Sequence, residues 1–359
     1  MKRLGILTGG GDAPGLNAVI RAVSRVSQAN GVELLGFKNG YNGLIHGDYM
    51  HLTMPHISGL LTKGGTILGT NNRDNPFNFP VQESGKIVYR DMSDKAIENL
   101  EKLNIGCLIV VGGDGSLAIA RELSEKGAKT ITVPKTIDND ILETDQTFGF
   151  DTAVNTATEA LDKLHTTAES HHRVMVLELM GRYAGWITLY SGVAGGADVI
   201  LIPEIPWKIE KVAEKILNRK RNGKYFSIVV VSEGVKTPEG DYVIRQTIKE
   251  SGDPLRLGGI SHVISKMIED TTGIESRATV LGHLQRGGSP SPFDRVLATR
   301  YGVAAAKLAL DGEHGKMVSL KNGVITSVPF EKIPSGCRVV PTDHQLICAA
   351  REMGISFGD

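Results

Sequence analysis

The stretch CLIVVGGDGSLAIARELSEKG, residues 107–127, decides the fold class. It opens with a short apolar run, passes through a glycine-rich turn and continues as a helical pattern. A strand without polar alternation is typical of a parallel sheet that is covered on both faces. Successive parallel strands need a crossover, which is usually a helix. This stretch therefore predicts a wound α/β fold.

The same order of strand, glycine-rich turn and helix recurs along the chain. LGILT (4–8) is followed by GGGDAPG (9–15) and by the helical pattern LNAVIRAVSRVSQ (16–28). Many of the 43 glycines follow the predicted strands, at the edge where open parallel sheets bind ligands. We expect two mainly parallel sheets, or one sheet divided into lobes. Further strands are predicted at TITVP (130–134), RVMVLEL (173–179), VILIP (199–203), FSIVVVS (226–232) and RATVLGH (277–283).

The segment SDKAIENLEKLNI (93–105) predicts an amphipathic helix. Ile97, Leu100 and Leu103 recur at helical spacing and would form its apolar face. Ser93 precedes them and is a suitable N-cap residue.

Length, charge and cysteine content exclude several classes of protein. The chain has 359 residues, of which 41% are hydrophobic, enough for two globular lobes. Lys+Arg and Asp+Glu both number 40, so no net charge draws the chain to nucleic acid or to a membrane. The three cysteines lack metal-binding spacing, and no run reaches the roughly 20 apolar residues of a spanning helix. We expect a cytoplasmic protein without a signal peptide.

The two glycine-rich turns, at 9–15 and 112–116, predict anion sites. Each would precede a helix, whose free N–H groups and dipole attract phosphate. Neither turn has the G-x-G-x-x-G pattern of dinucleotide-binding proteins or the Gly-Lys-Ser/Thr of a P-loop. Asp114 adds a carboxylate, and Mg²⁺ binds carboxylates and phosphates together. Either turn taken alone is explained equally well as a tight structural connection.

The stretch VPKTIDNDI (133–141) places a lysine and two aspartates at the end of an apolar run. Phosphoryl transfer to an alcohol needs a base, a cation on the phosphate and in-line positioning of the reactants. Asp138 and Asp140 provide carboxylates, and Lys135 provides a cation. The alternative is a solvated loop in which Asp138 caps a turn.

Two later segments add cationic side chains. Arg182 follows the strand predicted at 173–179, while Arg277, His283 and Arg286 lie close together in the sequence. Arg277 and His283 are six residues apart and would face the same side of one strand. Because guanidinium groups bind phosphate oxygens through two N–H donors, the segments predict a sugar-phosphate pocket.

Together these motifs resemble the 6-phosphofructokinase family. Their order and spacing agree along the chain to about residue 300. The GGDG turn alone also occurs in lipid kinases and NAD kinases, which lack the other motifs. The resemblance is carried by LTGGGDAPGLNAVIR (7–21), VVGGDGS (110–116), PKTIDNDI (134–141), ESHHRVMVLELMGRYAG (169–185), SEG (232–234) and RATVLGHLQRGGSPSPFDR (277–295).

The resemblance implies a fold and an activity. The activity is the Mg²⁺-dependent transfer of the ATP γ-phosphoryl group to the 1-hydroxyl of fructose 6-phosphate, giving fructose 1,6-bisphosphate and ADP. The fold has two Rossmann-like lobes, with helices on both faces of mainly parallel sheets and the active site in the cleft between the lobes. Residues 1–149 plus about 287–335 would bind ATP and Mg²⁺, and residues 150–286 plus about 336–359 would bind fructose 6-phosphate.

The resemblance also implies roles for residues at matching positions. Asp138 would be the general base, assisted by Thr136 and Arg182, and Asp114 would hold Mg²⁺. Arg173 and Arg277 would reach into a neighbouring subunit's site, so the enzyme would self-associate. The residues implied for ATP are Gly11, Arg73, Gly113, Asp114, Gly115 and Ser116. Those implied for fructose 6-phosphate are Thr136, Ile137, Asp138, Arg173, Met180, Gly181, Arg182, Glu233, Arg277, His283 and Arg286.

Two positions bear on the phosphoryl donor. ATP-dependent members of the family commonly have glycine at both, whereas pyrophosphate-dependent members have Asp at the first and Lys at the second. This chain combines Gly115 with Lys135. Because Gly115 leaves room for the rest of a nucleotide, the pair predicts ATP. The alternatives are a pyrophosphate-dependent phosphotransferase and a non-catalytic sugar-phosphate sensor, although the sensor would not need Asp138 and Asp114.

Overall fold

The structure is a computed structural model that describes residues 2–83, 85–247 and 255–359. Strands and helices alternate along most of this length. The strands are β1 (Arg3–Thr8), β2 (Glu33–Phe37), β3 (Tyr49–His51), β4 (Phe79–Glu83), β5 (Lys86–Arg90), β6 (Ile105–Gly112), β7 (Thr130–Thr136), β8 (Phe148–Gly149), β9 (Val174–Leu179), β10 (Val199–Leu201), β11 (Ser227–Ser232), β12 (Ile244–Thr247), β13 (Leu255–Leu257), β14 (Ser276–Val280), β15 (Lys316–Lys321) and β16 (Val324–Pro329). The α-helices are α1 (Leu16–Ala29), α2 (Tyr41–His46), α3 (Met54–Ile57), α4 (Ser93–Lys102), α5 (Asp114–Glu125), α6 (Phe150–His171), α7 (Trp186–Ala194), α8 (Ile209–Arg221), α9 (Ile260–Thr272), α10 (Pro292–Leu310) and α11 (Gln345–Glu352).

The chain divides into two units. The first comprises Met1–Thr136, Ile141–Gly149 and Arg286–Gly336. The second comprises Ile137–Asp140, Phe150–Gln285 and Cys337–Asp359. This division differs from the predicted ranges at Ile137–Asp140 and at Arg286, because the chain leaves the first unit where β7 ends. The assignment of one lobe to each substrate remains a prediction.

The first unit is built on an eight-stranded, mainly parallel sheet. Its order is β16-β15-β7-β6-β1-β2-β3, with β8 paired to β7. Strands β3 and β16 are antiparallel to their neighbours, while β7, β6, β1 and β2 run parallel. Since parallel strands share one carboxyl edge, the turns after β1 and β6 and the end of β7 lie along the same edge.

Two apolar clusters cover the faces of this sheet. Along β6, Ile109 and Val111 belong to the cluster that includes side chains of α1 and α10. Leu108 and Val110 belong to the opposite cluster, which includes side chains of α4 and α5. All four are fully buried, which explains the continuous apolar run of this strand.

The second unit contains a four-stranded sheet of order β10-β11-β9-β14. All of its pairings are parallel, and its buried side chains pack against α8 and α9. Two antiparallel strand pairs, β4 with β5 and β12 with β13, lie outside the main sheets. The two wound, mainly parallel sheets confirm the predicted α/β fold class. No helix in the described part of the chain has the length and apolarity to cross a bilayer.

The helix predicted at 93–105 forms as α4. Leu100 is buried, and Ile97 and Leu103 pack against the same cluster, as predicted. The predicted N-cap is wrong, because Ser93 is the first residue within the helix. The N-cap residue is Met92, and the free N–H of Ser93 donates to Asp91 Oδ1 at 2.8 Å.

Candidate active site

The turn after β1 is fixed on two sides by backbone hydrogen bonds. The Gly9 N–H donates to the carbonyl of Val111 at 2.9 Å, and the Gly10 N–H donates to the carbonyl of Asn71 at 3.0 Å. Thr70 Oγ1 donates to the Gly10 carbonyl at 2.5 Å. Gly10 has a φ of 77°, a conformation that favours glycine. The turn is therefore held open by β6 and by two residues that the sequence analysis did not single out.

Arg73 follows these two residues. Its N–H donates to Asn71 Oδ1 at 2.8 Å, which forms a local turn of the kind that asparagine favours. The residue itself is exposed. The structure thus places Arg73, predicted to bind ATP, on the loop that is hydrogen-bonded to Gly10.

The GGDG turn forms the N-terminus of α5. Gly113 is its extended N-cap residue, with φ −84° and ψ −173°, so Asp114, Gly115 and Ser116 occupy the first helical turn. The N–H groups of a first turn lack helical partners, and together with the helix dipole they attract anions. Ser116 is buried and packs against the first glycine turn. A Cβ at Gly9 would lie 2.6 Å from the Ser116 hydroxyl oxygen, so glycine at position 9 leaves room for the Ser116 side chain.

Gly115 differs from the other glycines of these two turns. A Cβ built at this position would have no atom of the described residues within 4 Å. Packing therefore does not require glycine here. Because Gly115 has no side chain, space remains beside the first turn of α5.

The carboxyl group of Asp114 is reached by solvent yet partly desolvated by the surrounding protein. This desolvation raises its pKa above the ordinary value. A bound cation would favour the ionised form and oppose that shift. Among the described residues, no group of three or more His, Cys, Asp or Glu could hold a metal. Mg²⁺ is commonly held by one or two carboxylates together with substrate phosphates and waters, and Asp114 could supply one such carboxylate.

Lys135 brings a positive charge to both turns. The residue lies on β7 and is only 3% exposed, and its Nζ donates a hydrogen bond to the carbonyl of Gly11. A Cβ at Gly10 would lie 3.5 Å from this Nζ, and one at Gly113 would lie 3.9 Å from it. The ammonium group therefore lies beside the first glycine turn and the N-terminus of α5.

Arg286 lies against the first glycine turn. Its Nη1 donates to the carbonyl of Asp12 at 3.1 Å, and a Cβ at Gly11 would lie 3.1 Å from the same nitrogen. The sequence analysis grouped Arg286 with the sugar-phosphate residues, whereas the structure packs it into the first unit. Its contact with the sugar phosphate remains a prediction.

In the second unit, the ends of β9 and β11 are joined by hydrogen bonds. The Glu233 N–H donates to the carbonyl of Leu179 at 2.8 Å, and the Gly234 N–H donates to the carbonyl of Gly181 at 3.2 Å. Ser232 Oγ donates to the same Gly181 carbonyl at 2.5 Å. The structure therefore brings the MGR turn (residues 180–182) and Glu233 together at the carboxyl edge of this sheet, and their contact with a sugar phosphate remains a prediction.

Close packing fixes the position of Arg182. A Cβ at Gly234 would lie 1.8 Å from the Arg182 carbonyl oxygen, so the SEG motif needs its glycine. The guanidinium group of Arg182 lies 5.0 Å from the ring centre of Tyr183, a distance at which a cation is attracted to an aromatic face. Met180, which precedes Gly181, is half-buried.

The PKTIDND motif carries the chain from the first unit to the second. Thr136 ends β7, and its carbonyl accepts a hydrogen bond from Thr147 Oγ1 at 2.8 Å. Ile137 is fully buried and starts the segment that belongs to the second unit. Asp138 follows and is half-buried. The proposed base thus lies two residues beyond the carboxyl end of a central strand, where wound sheets place their ligands.

Arg173 and Arg277 lie at the opposite edge of the second sheet from the MGR turn. Arg277 pairs in register with Met175, near the start of β9. Glu275 binds both arginines, with Arg173 Nε at 2.7 Å from its Oε2. At about 3.3 Å per residue, the six-residue strand β9 separates the two edges by about 20 Å. Within one chain, the two arginines therefore lie away from the MGR turn and Glu233.

The prediction that Arg277 and His283 share one strand is wrong. Strand β14 ends at Val280, and His283 lies in a short 3₁₀-helix, Gly282–Arg286. Glycine at 282, with a φ of 53°, turns the chain before the predicted strand is complete. His283 is exposed, and its place in a sugar-phosphate site remains a prediction.

The chain has glycine turns at two parallel strand ends, a buried lysine beside them and an aspartate beyond a third strand. These features define a phosphate-handling α/β protein. The sequence matches the phosphofructokinase family over residues 3–309. The chain therefore belongs to the phosphofructokinase family. The ATP-dependent 6-phosphofructokinase 2 of Clostridium perfringens is 51% identical to it over 365 residues, which cover 100% of this chain and 99% of that protein.

Two further comparisons involve proteins named for a different donor. The pyrophosphate–fructose 6-phosphate 1-phosphotransferase of Streptomyces coelicolor is 47% identical over 358 residues, covering 99% of this chain and 100% of that protein. The crystal structure of a pyrophosphate-dependent phosphofructokinase from Nitrosospira multiformis has a TM-score of 0.82 and 23% identity, covering 100% of this chain and 93% of that one. The structural match concerns the fold.

Proposed function

We propose that this protein is an ATP-dependent 6-phosphofructokinase. It transfers the γ-phosphoryl group of ATP to the 1-hydroxyl of fructose 6-phosphate and releases fructose 1,6-bisphosphate and ADP. Membership of the family and full-length similarity to a relative named for this activity support the proposal. The observation that carries it is the pair of glycine turns with the Lys135 ammonium group beside both.

The donor side of the reaction uses the first unit. The N–H groups at the start of α5 and the turn at Gly11 bind the phosphates, and Arg73 and Lys135 neutralise their charge. Relatives of 51%, 49% and 47% identity are named for ATP, and one of 47% identity is named for pyrophosphate, so the comparisons favour ATP. The open space at Gly115 favours ATP, since an aspartate there would fill this space and repel the α-phosphate.

Asp114 is the residue that would hold Mg²⁺ beside the donor phosphates. Desolvation raises the pKa of its carboxyl group, and a cation that arrives with the substrate would offset this effect. When bound, the ion would neutralise negative charge on the phosphates and on the leaving group. Ser116 and Gly113 shape the turn that presents Asp114.

Most of the residues proposed for the acceptor side belong to the second unit, whereas Thr136 and Arg286 belong to the first. Asp138 takes the proton from the 1-hydroxyl as it attacks phosphorus, and Thr136 contacts the sugar beside it. The MGR turn and Glu233 hold the sugar phosphate, with Arg182 stabilising negative charge. Ile137, Met180, His283 and Arg286 complete this set.

Self-association would bring the remaining two cations to the site. Arg173 and Arg277 lie about 20 Å from the MGR turn along the same sheet. A neighbouring copy can present them to the sugar phosphate, since symmetric oligomers place one surface patch against another. Glu275 holds both arginines at the edge of each subunit.

The experiment that tests this proposal offers the purified protein fructose 6-phosphate with Mg²⁺ and either ATP or pyrophosphate. Coupled detection of fructose 1,6-bisphosphate should show turnover with ATP. Asp138→Asn should keep fructose 6-phosphate binding and lower kcat by roughly 10²–10⁴-fold, the range for loss of a general base. Turnover with pyrophosphate alone would overturn the donor, unchanged turnover in Asp138→Asn would overturn the base, and sugar binding without turnover would indicate a sensor.

A further inference from the structure

We propose that Arg338 is a positioning residue that holds the loop carrying Asp138. This inference deepens the proposed function and rests on it, because it concerns the residue proposed as the base. Nothing in the sequence motifs points to Arg338, which lies in the C-terminal segment GCRVVP (336–341). Its contacts with the loop point to the role.

Arg338 binds two consecutive carbonyl groups directly after the proposed base. Its backbone N–H donates to the carbonyl of Asp140 at 2.8 Å, and its side-chain Nη1 donates to the carbonyl of Asn139 at 3.2 Å. Asn139 is buried and has a φ of 54°, in the left-handed region that asparagine adopts more readily than most non-glycine residues. A donor that carries positive charge therefore stabilises this turn one residue beyond Asp138.

Arg338 is itself held in place by Trp186. The indole Nε1–H of Trp186 donates to the carbonyl of Arg338 at 2.8 Å. The guanidinium group lies 4.4 Å from the centre of the indole ring, where a cation is attracted to the aromatic face. Trp186 is 2% exposed and begins α7 directly after the MGRYAG motif. The side chain that binds the loop is thus anchored on a rigid helix.

Glu204 connects the same segment to the MGRYAG motif. Its Oε1 accepts hydrogen bonds from the Val340 N–H and from the Gly185 N–H, both at 2.9 Å. A Cβ at Gly185 would lie 2.4 Å from the Ile202 Cβ, so this junction leaves no room for a side chain. Residues 338–340 therefore link the loop that carries Asp138 with the turn that carries Arg182.

This linkage should affect turnover more than substrate binding. A general base works within about 3 Å of the proton that it removes, and a displacement of about 1 Å can reduce the rate by about 10²-fold. The position of Asp138 depends on the conformation of the two residues that follow it. Loss of the Arg338 side chain would leave the turn in place through the backbone bond but less firmly fixed.

The test compares Arg338→Met with Arg338→Lys and with a matched control, Arg351→Met. Arg351 also lies in the C-terminal segment, stacks 5.0 Å from the ring centre of Phe357 and pairs with Asp359 at 2.5 Å. We expect Arg338→Met to lower kcat by about 10- to 100-fold while both KM values stay within about twofold of wild type. Arg338→Lys should recover part of the loss, and Arg351→Met should keep wild-type kcat.

A structural role alone would give a different pattern. Unchanged kcat in Arg338→Met would overturn the inference. So would an equal loss of kcat in Arg351→Met, if the two variants also show the same fall in melting temperature. In the double variant with Asp138→Asn, removal of Arg338 should cause no further loss, because there is no base left to position. A fully multiplicative loss would overturn the inference and leave the proposed function standing. Full activity in Asp138→Asn alone would instead overturn the base, and the inference with it.

Discussion

The Nζ of Lys135 donates a hydrogen bond to the carbonyl oxygen of Gly11. Lys135 lies on β7 and Gly11 follows β1, and β6 lies between these two strands in the sheet. An ammonium group buried away from water needs its donors occupied, and this one has three. The bond therefore fixes the first glycine turn, which follows β1, to a side chain of β7. Lys135 both shapes the turn and carries the charge that a polyphosphate would meet there.

Lys135→Met is expected to impair catalysis with either donor. The methionine side chain fills a similar apolar space, while the charge and the bond to Gly11 are lost. Because a preorganised cation stabilises charge on the transferred phosphoryl group, kcat/KM for ATP should fall by about 10²-fold. Initial-rate kinetics with ATP and with pyrophosphate will check this, and retention of wild-type kcat/KM for both donors would contradict it.

Gly115→Asp is expected to change the donor preference without unfolding the protein. A Cβ at this position meets no atom of the described residues within 4 Å, and aspartate is favourable in the first turn of a helix. The aspartate would occupy the space proposed for the nucleotide and repel its α-phosphate, so kcat/KM for ATP should fall more than tenfold relative to that for pyrophosphate. Gly115→Ala is the matched control and should keep most ATP turnover, since it adds little volume and no charge. Equal losses with both donors in Gly115→Asp would refute this account of selectivity.

The sequence predicted the parts of this molecule that depend on local pattern. The apolar run of β6 and the glycines at 112 and 113 specify a buried strand that is followed by a helix, and the structure has both. The pattern could not show that Arg286 packs on Asp12 or that Arg338 binds Asn139, since these contacts join residues far apart in the chain. An isolated arginine carries no periodic signal, and its partner is fixed only by the tertiary fold.

The two wrong expectations have local causes. Ser93 has the side-chain oxygen that capping requires, but the helix already includes it, and Met92 is the N-cap residue. The run at 277–283 is interrupted by Gly282 in a left-handed conformation, which ends strand geometry before His283. In each case the residue type was compatible with the prediction, and the backbone conformation decided otherwise.

Asp114→Asn is expected to stabilise the free protein at neutral pH and to weaken its response to Mg²⁺. Desolvation raises the pKa of Asp114 above its ordinary value of 3.8, so the folded state retains this proton to higher pH than the unfolded state. The stabilisation linked to that proton is complete below the pKa of Asp114 in the unfolded chain. It is lost as pH rises through the pKa of Asp114 in the folded protein. The melting temperature of the variant relative to wild type should therefore be higher at pH 7 than at pH 3.

Ligand addition completes the test of Asp114. With ATP present, Mg²⁺ should raise the melting temperature of the wild type, and it should raise that of the variant much less. The same variant should lose at least tenfold in kcat at saturating ATP. An equal Mg²⁺-dependent shift in both proteins would show that the metal is held elsewhere.

Mixed oligomers of two inactive variants test whether Arg277 serves a neighbouring subunit. Arg277→Ala chains keep Asp138, and Asp138→Asn chains keep Arg277, so a site formed across an interface can combine the intact residues of both. With equal amounts and random assembly, about one quarter of the sites would contain both, and activity should recover to about 25% of wild type. The variants should be refolded together, or co-expressed, and assayed at low fructose 6-phosphate, with each variant alone as the control. If Arg277 acts on the sugar within its own chain, no site in the mixture is intact, and activity will stay at the mean of the two variants.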